Sequence, residues 1–236
     1  MGFADKVAIV TGAAGPVGAA VARALRDRGT AVLAVDPDTE ALAALDRDLG
    51  GIETFVADLT RSEDVARYVA RARELWGGVD LFFNNVDVEG PVSLLTESSE
   101  AEFDAMIDGN LRPTFLGLKH TLHHVRDGGA VVNMASDLAV EGAAGFGGYA
   151  ASKHGVLGLT RVAALECERR RIRVNAVCPG RLREVDLDAG VSVDGFRTPE
   201  EIADLVIFLL SDGGPLHHRP EAHVGLVADN GAVTAL

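Results

Sequence analysis

The chain has 236 residues, with 35 acidic side chains against 22 basic ones for a formal charge of -13, and two cysteines. That length accommodates one α/β domain with a substantial core, and the acidity excludes the basic face that a nucleic-acid partner requires. Cys167 and Cys178 are too few for a disulfide framework and no apolar stretch is long enough to span a bilayer, so the expectation is a cytoplasmic protein with no membrane contact.

Val7-Ala8-Ile9-Val10 is a compact apolar run of the kind buried on both faces of a parallel sheet. A helix over 17–27 follows, with Ala20, Val21, Ala24 and Leu25 at helical spacing and Gly29 suited to a left-handed stop. The alternation continues with a strand over 31–35, a helix over 39–49, a strand over 54–57, a helix over 62–75 and a strand over 79–83. Beyond lie a long helix over 99–125, a strand over 130–134, a helix over 148–170, a strand over 173–177, a helix over 199–210 and a last strand over 224–228. About seven strands separated by helices and joined by right-handed crossovers predict a Rossmann-type doubly wound parallel sheet in three αβα layers, with ligands beyond the strand C-termini. No linker, repeat or low-complexity tract marks a boundary, so residues 1–236 read as a single dinucleotide-binding domain with a substrate loop at 180–198.

The turn after the first strand reads Thr11-Gly12-Ala13-Ala14-Gly15-Pro16-Val17-Gly18. Missing side chains at Gly12, Gly15 and Gly18, with the Val17 backbone at the start of a helix, let a diphosphate approach the positive helix end. The same turn also serves as a tight connection that binds nothing. Asp36 closes the second strand, where a carboxylate accepts hydrogen bonds from both hydroxyls of an adenine-side ribose and repels a 2'-phosphate, which predicts NAD(H) as cofactor. The plain alternative is a turn residue before Pro37.

Tyr149 and Lys153 are four apart and therefore stack on one helix face. A phenol titrates near ~10, and an adjacent ammonium favours its ionised form, bringing it toward the range useful for proton transfer. Ser136, after the strand over 130–134, is placed to hydrogen-bond a substrate oxygen. Alone, a Tyr-x-x-x-Lys pair is an ordinary amphipathic helix face.

Taken together these residues resemble the short-chain dehydrogenase/reductase family, from Lys6 to about Gly231. Ser136 precedes Tyr149 by 13 positions, and Tyr149-Ala150-Ala151-Ser152-Lys153 is the family's catalytic signature. Asn110, in Gly109-Asn110-Leu111, falls where the family places the asparagine of a proton relay through water and the lysine. The resemblance implies further roles. Asp58-Leu59 would contact adenine, and Asn85 would lie beside the cofactor. Pro179 and Gly180 of Cys178-Pro179-Gly180, with Leu182 beyond, would flank the nicotinamide. Tyr149 and Lys153 would also hold the nicotinamide ribose, and Arg197-Thr198-Pro199-Glu200-Glu201-Ile202-Ala203 resembles the opening of the last large helix. It implies an enzyme that interconverts a secondary alcohol and a ketone by hydride transfer with NAD(H), Tyr149 acting as general acid/base. A homo-oligomer, tetramer or dimer, is implied as well.

The chain departs from the family at several points. Pro16 replaces a glycine and removes one N–H near the diphosphate. Asn84-Asn85-Val86-Asp87 stands where the family has Asn-Asn-Ala-Gly, and three outcomes are open to Asp87: a clash with the cofactor, an outward turn, or a hydrogen bond to a ribose or substrate hydroxyl. Arg183-Glu184 replaces the threonine near the carboxamide. Pro16 and Asp87 together motivate an alternative, a family-like scaffold with weakened cofactor binding that acts in binding or assembly; an isomerase or dehydratase is a further alternative. Pro113 should kink the long helix beside Asn110, either freeing a carbonyl for a relay water or merely bending a surface helix. His120, His123 and His124 lie at metal-like spacing, yet no cysteine or carboxylate pattern joins them, so a solvated helix end and no metal is the reading. Arg181 and Arg183 either pair with an acidic substrate group or are surface charges.

Overall fold

The computed structural model describes residues 2–180, 198–212, 226–229 and 232–235. The strands are β1 (Val7–Thr11), β2 (Ala31–Asp36), β3 (Glu53–Val56), β4 (Val79–Asn84), β5 (Val125–Met134), β6 (Arg173–Cys178), β7 (Leu226–Asp229) and β8 (Ala232–Ala235). They form one sheet in the order β3-β2-β1-β4-β5-β6-β7-β8. Neighbours from β3 through β7 pair in parallel, and only β8 runs antiparallel, against β7. The chain moves outward from β1 to β3, then crosses back to β4. The strand order therefore reverses between β1 and β4, where a doubly wound sheet opens a crevice at its carboxyl edge.

Successive side chains along a strand face opposite ways, and β1 shows how that builds the two layers. Ala8 and Val10 pack into a cluster with Val21 and Leu25 of helix α1 (Pro16–Asp27) and Val206 of helix α7 (Pro199–Leu210). Ile9 faces the other layer, with Val65, Tyr68 and Val69 of helix α3 (Ser62–Trp76). Each fully buried aliphatic or aromatic side chain here contributes about 1.5–3 kcal/mol relative to exposure. A polar thread runs through the same interior. Asn84 on β4 donates through Nδ2 to Asn133 Oδ1 on β5 at 3.0 Å, and Asn133 Nδ2 donates to Thr160 Oγ1 at 2.9 Å on helix α6 (Gly147–Glu166).

Helix starts follow their caps. Asp38 accepts the Glu40 and Ala41 N–H groups to open helix α2 (Thr39–Leu49), and Thr198 with Glu201 forms a capping box on α7. The helix expected over 99–125 is instead three pieces: α4 (Glu100–Met106), a π-helical turn (Ile107–Leu111) and α5 (Arg112–Thr121). Pro113 has no N–H to give to the preceding turn, and the wider turn just before it accommodates that loss. Pro113 is buried, on the inner side of α5. The helix also stops four residues early because Val125 pairs with Val79 and is itself part of β5, which begins five residues before the expected start. The last parallel strand, expected over 224–228, is described at Leu226–Asp229, with 224 and 225 outside the described residues, and β8 was not expected.

Candidate active site

The turn between β1 and α1 is shaped by what its glycines leave out. Gly12 has φ +56°, and a Cβ there would lie 2.5 Å from Asn85 O. A Cβ on Gly18 would lie 2.0 Å from Gly12 O, so α1 could not pack on the turn. Gly15 differs: a Cβ would meet only Gly12 O at 3.5 Å, an ordinary contact, so the fold itself does not demand glycine there. Its bare backbone instead faces a cavity of about 840 Å³. Pro16 occupies the first helical position, where the missing N–H has no intrahelical acceptor in any helix, and Gly15 is the N-cap. The Val17 and Gly18 N–H groups remain in the first turn of α1.

The cavity lies over the carboxyl ends of β1, β2, β4 and β5. Gly12, Gly15, Val17, Asp36, Asp58, Leu59, Asn85, Ser136, Tyr149, Pro179 and Gly180 all line it. Asp36 is fixed by the Ala14 N–H on one oxygen and the Asp38 N–H on the other, both at 3.0 Å. Asn85 ties β4 to the glycine turn: its Nδ2 donates to Gly12 O at 3.1 Å, and its N–H donates to Thr11 Oγ1 at 2.9 Å. Asp58 accepts from the Thr60 N–H and hydroxyl, and these bonds hold its carboxyl below the usual range. Leu182, Arg181, Arg183 and the rest of the expected substrate loop between Gly180 and Thr198 lie outside the described residues.

At the other end of the cavity the residue pattern expected from Tyr149 and Lys153 is altered by Asp87. Tyr149 Oη donates to Asp87 Oδ1 at 2.8 Å, and Lys153 Nζ pairs with the same oxygen at 3.0 Å. Lys153 Nζ also donates to Val86 O at 2.9 Å. Asp87 thus turns into the site, and its bonds here are to protein groups. The expectation that Lys153 brings the phenol toward neutrality is corrected: burial, then the Asp87 charge, push the Tyr149 phenol well above its usual value, with the Ser136 hydroxyl opposing them weakly. The ammonium that would have favoured a phenolate faces a nearer carboxylate. Burial holds Lys153 itself below the usual lysine range, with Asp87 acting in the opposite direction.

Ser136 donates to Asp137 Oδ1 at 2.9 Å and accepts the Leu138 N–H at 3.2 Å, opening a short 3₁₀ turn (Asp137–Ala139). Asn110 sits in the π-helical turn and is fully buried. Its amide closes on one backbone unit, accepting the Val88 N–H and donating to Val88 O, both at 2.9 Å. Its own carbonyl accepts Thr114 Oγ1 at 2.8 Å. Asn110, Lys153 and Gly18 do not line the cavity in this state; the first two stand behind the segment 86–88 and buttress it. Val86 and Val88 are the site residues sequence reasoning missed, since they act through backbone atoms that carry no residue-type signal. Beside the histidine series, His120 Nε2 lies 2.8 Å from Ser62 Oγ. Among the described residues no group of three His, Cys, Asp or Glu side chains could hold a metal ion, and no helix is long and apolar enough to cross a membrane.

A bare-backbone turn at a helix N-terminus, a strand-end carboxylate beside it, and a cavity running on to a serine and a tyrosine fit an extended dinucleotide with a substrate next to its reactive end. Fold and site together define a dinucleotide-dependent enzyme of the doubly wound class. Residues 6–192 match the short chain dehydrogenase family model. Levodione reductase of Leifsonia aquatica is 38% identical over 188 residues, covering 76% of this chain and 70% of that protein. Cis-4-hydroxycyclohexanecarboxylate dehydrogenase of Sinomonas cyclohexanicum is 37% identical over 227 residues, covering 89% and 91%. Among solved structures, the crystal structure of an NAD+-bound xylitol dehydrogenase superimposes with a TM-score of 0.80 at 29% identity, covering 89% of this chain and 94% of the other. The chain belongs to the short chain dehydrogenase family, and it is an NAD(P)-dependent oxidoreductase that interconverts alcohols and carbonyl compounds.

Proposed function

We propose that this protein interconverts a secondary alcohol and its ketone with NAD(H), and that Tyr149 exchanges the proton at the substrate oxygen. The carrying observation is that Tyr149 and Ser136 line the same cavity as Gly12, Gly15 and Asp36. The dinucleotide, when bound, supplies or accepts the hydride. Gly12, Gly15 and the Val17 and Gly18 N–H groups would hold its diphosphate, and Asp58, Leu59, Asn85, Pro179 and Gly180 its adenine and nicotinamide sides. Ser136 orients the substrate oxygen and stabilises developing negative charge there. Lys153 donates to Val86 O beneath the site, and Asn110 anchors Val88, so that the segment 86–88 keeps its path.

Asp36, which with Asp38 lines the cavity at the end of β2, supports NAD(H) over NADP(H), since a carboxylate there would repel a 2'-phosphate. Apolar walls from Leu138, Phe146, Val88 and Ala143 suit a ring-bearing substrate of the kind named for the Sinomonas relative. Phe115 on α5, with Val162 and Leu165 on α6, leaves large apolar side chains exposed, which supports a homo-oligomer, dimer or tetramer, built across these helices. Two buried cysteines, Cys167 and Cys178, suit a cytoplasmic setting.

The test is a fluorescence titration with NADH and NADPH, followed by assays of cyclic ketones and diols with wild type and Tyr149→Phe. The expected result is tighter NADH binding, and turnover that Tyr149→Phe abolishes while binding survives. A protein that bound neither nucleotide, or a Tyr149→Phe variant with full turnover, would overturn the reading.

A further inference from the structure

We infer that Asp87 is a proton-holding and positioning residue: it receives the phenolic proton of Tyr149 as Tyr149 takes a proton from the alcohol, and returns it when the carbonyl is reduced. The inference rests on the reading of Tyr149 given above. One carboxylate oxygen sits 2.8 Å from Tyr149 Oη and 3.0 Å from Lys153 Nζ, so the phenol O–H is already directed at Asp87. The phenol oxygen keeps its lone pairs for an incoming hydroxyl donor. The Asp87 side chain is 39% exposed, whereas that of Lys153 is wholly buried. Asn110 spends its side-chain amide on Val88 and accepts Thr114 Oγ1 at its carbonyl, whereas Asp87 bonds Tyr149 directly. Among the described residues Asp87 offers Tyr149 a direct hydrogen-bonded step toward solvent.

In alcohol oxidation the substrate O–H bond breaks and its proton bonds to Tyr149 Oη. The original Tyr149 O–H bond breaks in the same motion, and that proton bonds to the Asp87 carboxylate. The electron pair of the substrate C–H bond leaves as hydride, for which the oxidised dinucleotide is the acceptor supplied by the family's activity. Asp87 then gives its proton to solvent, and ketone reduction runs the same steps backward. The charged and titratable groups facing Asp87 are Tyr149 and Lys153 from α6; Glu89 of its own segment and Ser136 with Asp137 act on Tyr149, and Cys178 acts on Lys153.

The chain has only two tyrosines, Tyr68 and Tyr149, so tyrosinate absorbance reads the phenol without substrate or cofactor. The experiment compares wild type, Asp87→Asn and Asp87→Gly by this titration, with Tyr149→Phe to assign the signal, and by the pH profile of kcat/KM for alcohol oxidation. Removing the carboxylate is expected to lower the pH at which Tyr149 ionises by about a unit or more, while the acid limb of the oxidation profile moves the other way, to higher pH. Carboxylates as a class titrate about six units below phenols, so losing one as the proton acceptor raises the limb even as the phenol becomes more acidic. A limb that follows the phenol downward would mean Tyr149 alone is the base, and an unmoved phenol titration would mean Asp87 does not act on it; either overturns the inference. Failure of nucleotide binding, or full turnover by Tyr149→Phe, strikes the underlying reading instead.

Discussion

Ala14 donates its backbone N–H to Asp36 at 3.0 Å, so the carboxylate that closes β2 is locked to the backbone of the glycine turn. Its second oxygen takes the Asp38 N–H, yet each oxygen keeps a further lone pair, and Asp36 lines the cavity. Asp36→Asn retains an acceptor for Ala14 and loses the charge. Because hydrogen bonds to charged groups contribute roughly 1.5–3 kcal/mol, the variant should bind NADH about tenfold or more weakly and narrow the NADH/NADPH ratio. Calorimetric titration checks this, and an unchanged ratio would remove Asp36 from the explanation of cofactor choice.

Gly15 and Gly18 should respond oppositely to the same added methyl group. Gly18→Ala drives a Cβ to 2.0 Å from Gly12 O and should destabilise the fold by about 2 kcal/mol or more. Gly15→Ala meets an ordinary 3.5 Å contact, so stability should stay within about 0.5 kcal/mol while nucleotide affinity falls. Thermal melts with and without NADH separate the two effects.

Local signals account for what was legible in the sequence. α2 and α7 begin at their expected residues because Asp38 and Thr198 are caps whose partners are two or three residues away. The β1 turn and the Tyr149–Lys153 face are similarly local patterns. The end of α5 at Thr121 was not legible, since it depends on Val125 pairing with Val79, 46 positions back. Pro113 signalled a disturbance, but its form as a π-helical turn follows from packing around Asn110 and Val88. Asp87 was visible as a departure; its direction was not, because the bond to Tyr149 spans 62 positions and forms only when β4 and α6 meet.

Alkaline pH should reveal the two phenols, Tyr68 wholly buried and Tyr149 half-buried. Burial raises Tyr68 and Tyr149 well above the ~10 of an exposed phenol, so above that pH the native state holds more protons than the unfolded chain. Stability then falls as pH rises, by about 1.4 kcal/mol per unit for each phenol concerned. Lys153 acts in the reverse sense, adding stability as pH climbs from its lowered value toward about 10.4. Urea denaturation of wild type, Tyr68→Phe and Tyr149→Phe at pH 8 and above pH 10 should show a shallower alkaline decline in each variant; identical slopes would contradict the burial argument.

Gly117 tests the polar thread. A Cβ at this position would lie 2.6 Å from Asn84 Oδ1, against the residue that donates to Asn133 and Thr114 O. Gly117→Ala should displace Asn84 and leave buried polar atoms unpaired, costing about 1–3 kcal/mol in chemical denaturation. A variant of wild-type stability would show that α5 can shift to make room.

The cavity has a property that reaches beyond any single contact. Six of its lining residues carry carboxyls, Asp36, Asp38, Asp58, Asp87, Glu89 and Asp137, and no Lys, Arg or His is among the described lining residues. An anionic dinucleotide approaching an acidic protein through an acidic mouth meets like charge, and dissolved ions screen like-charge repulsion over about 10 Å at 0.1 M. Salt, which ordinarily loosens a protein's hold on a phosphate-bearing ligand, should quicken and tighten it in this enzyme.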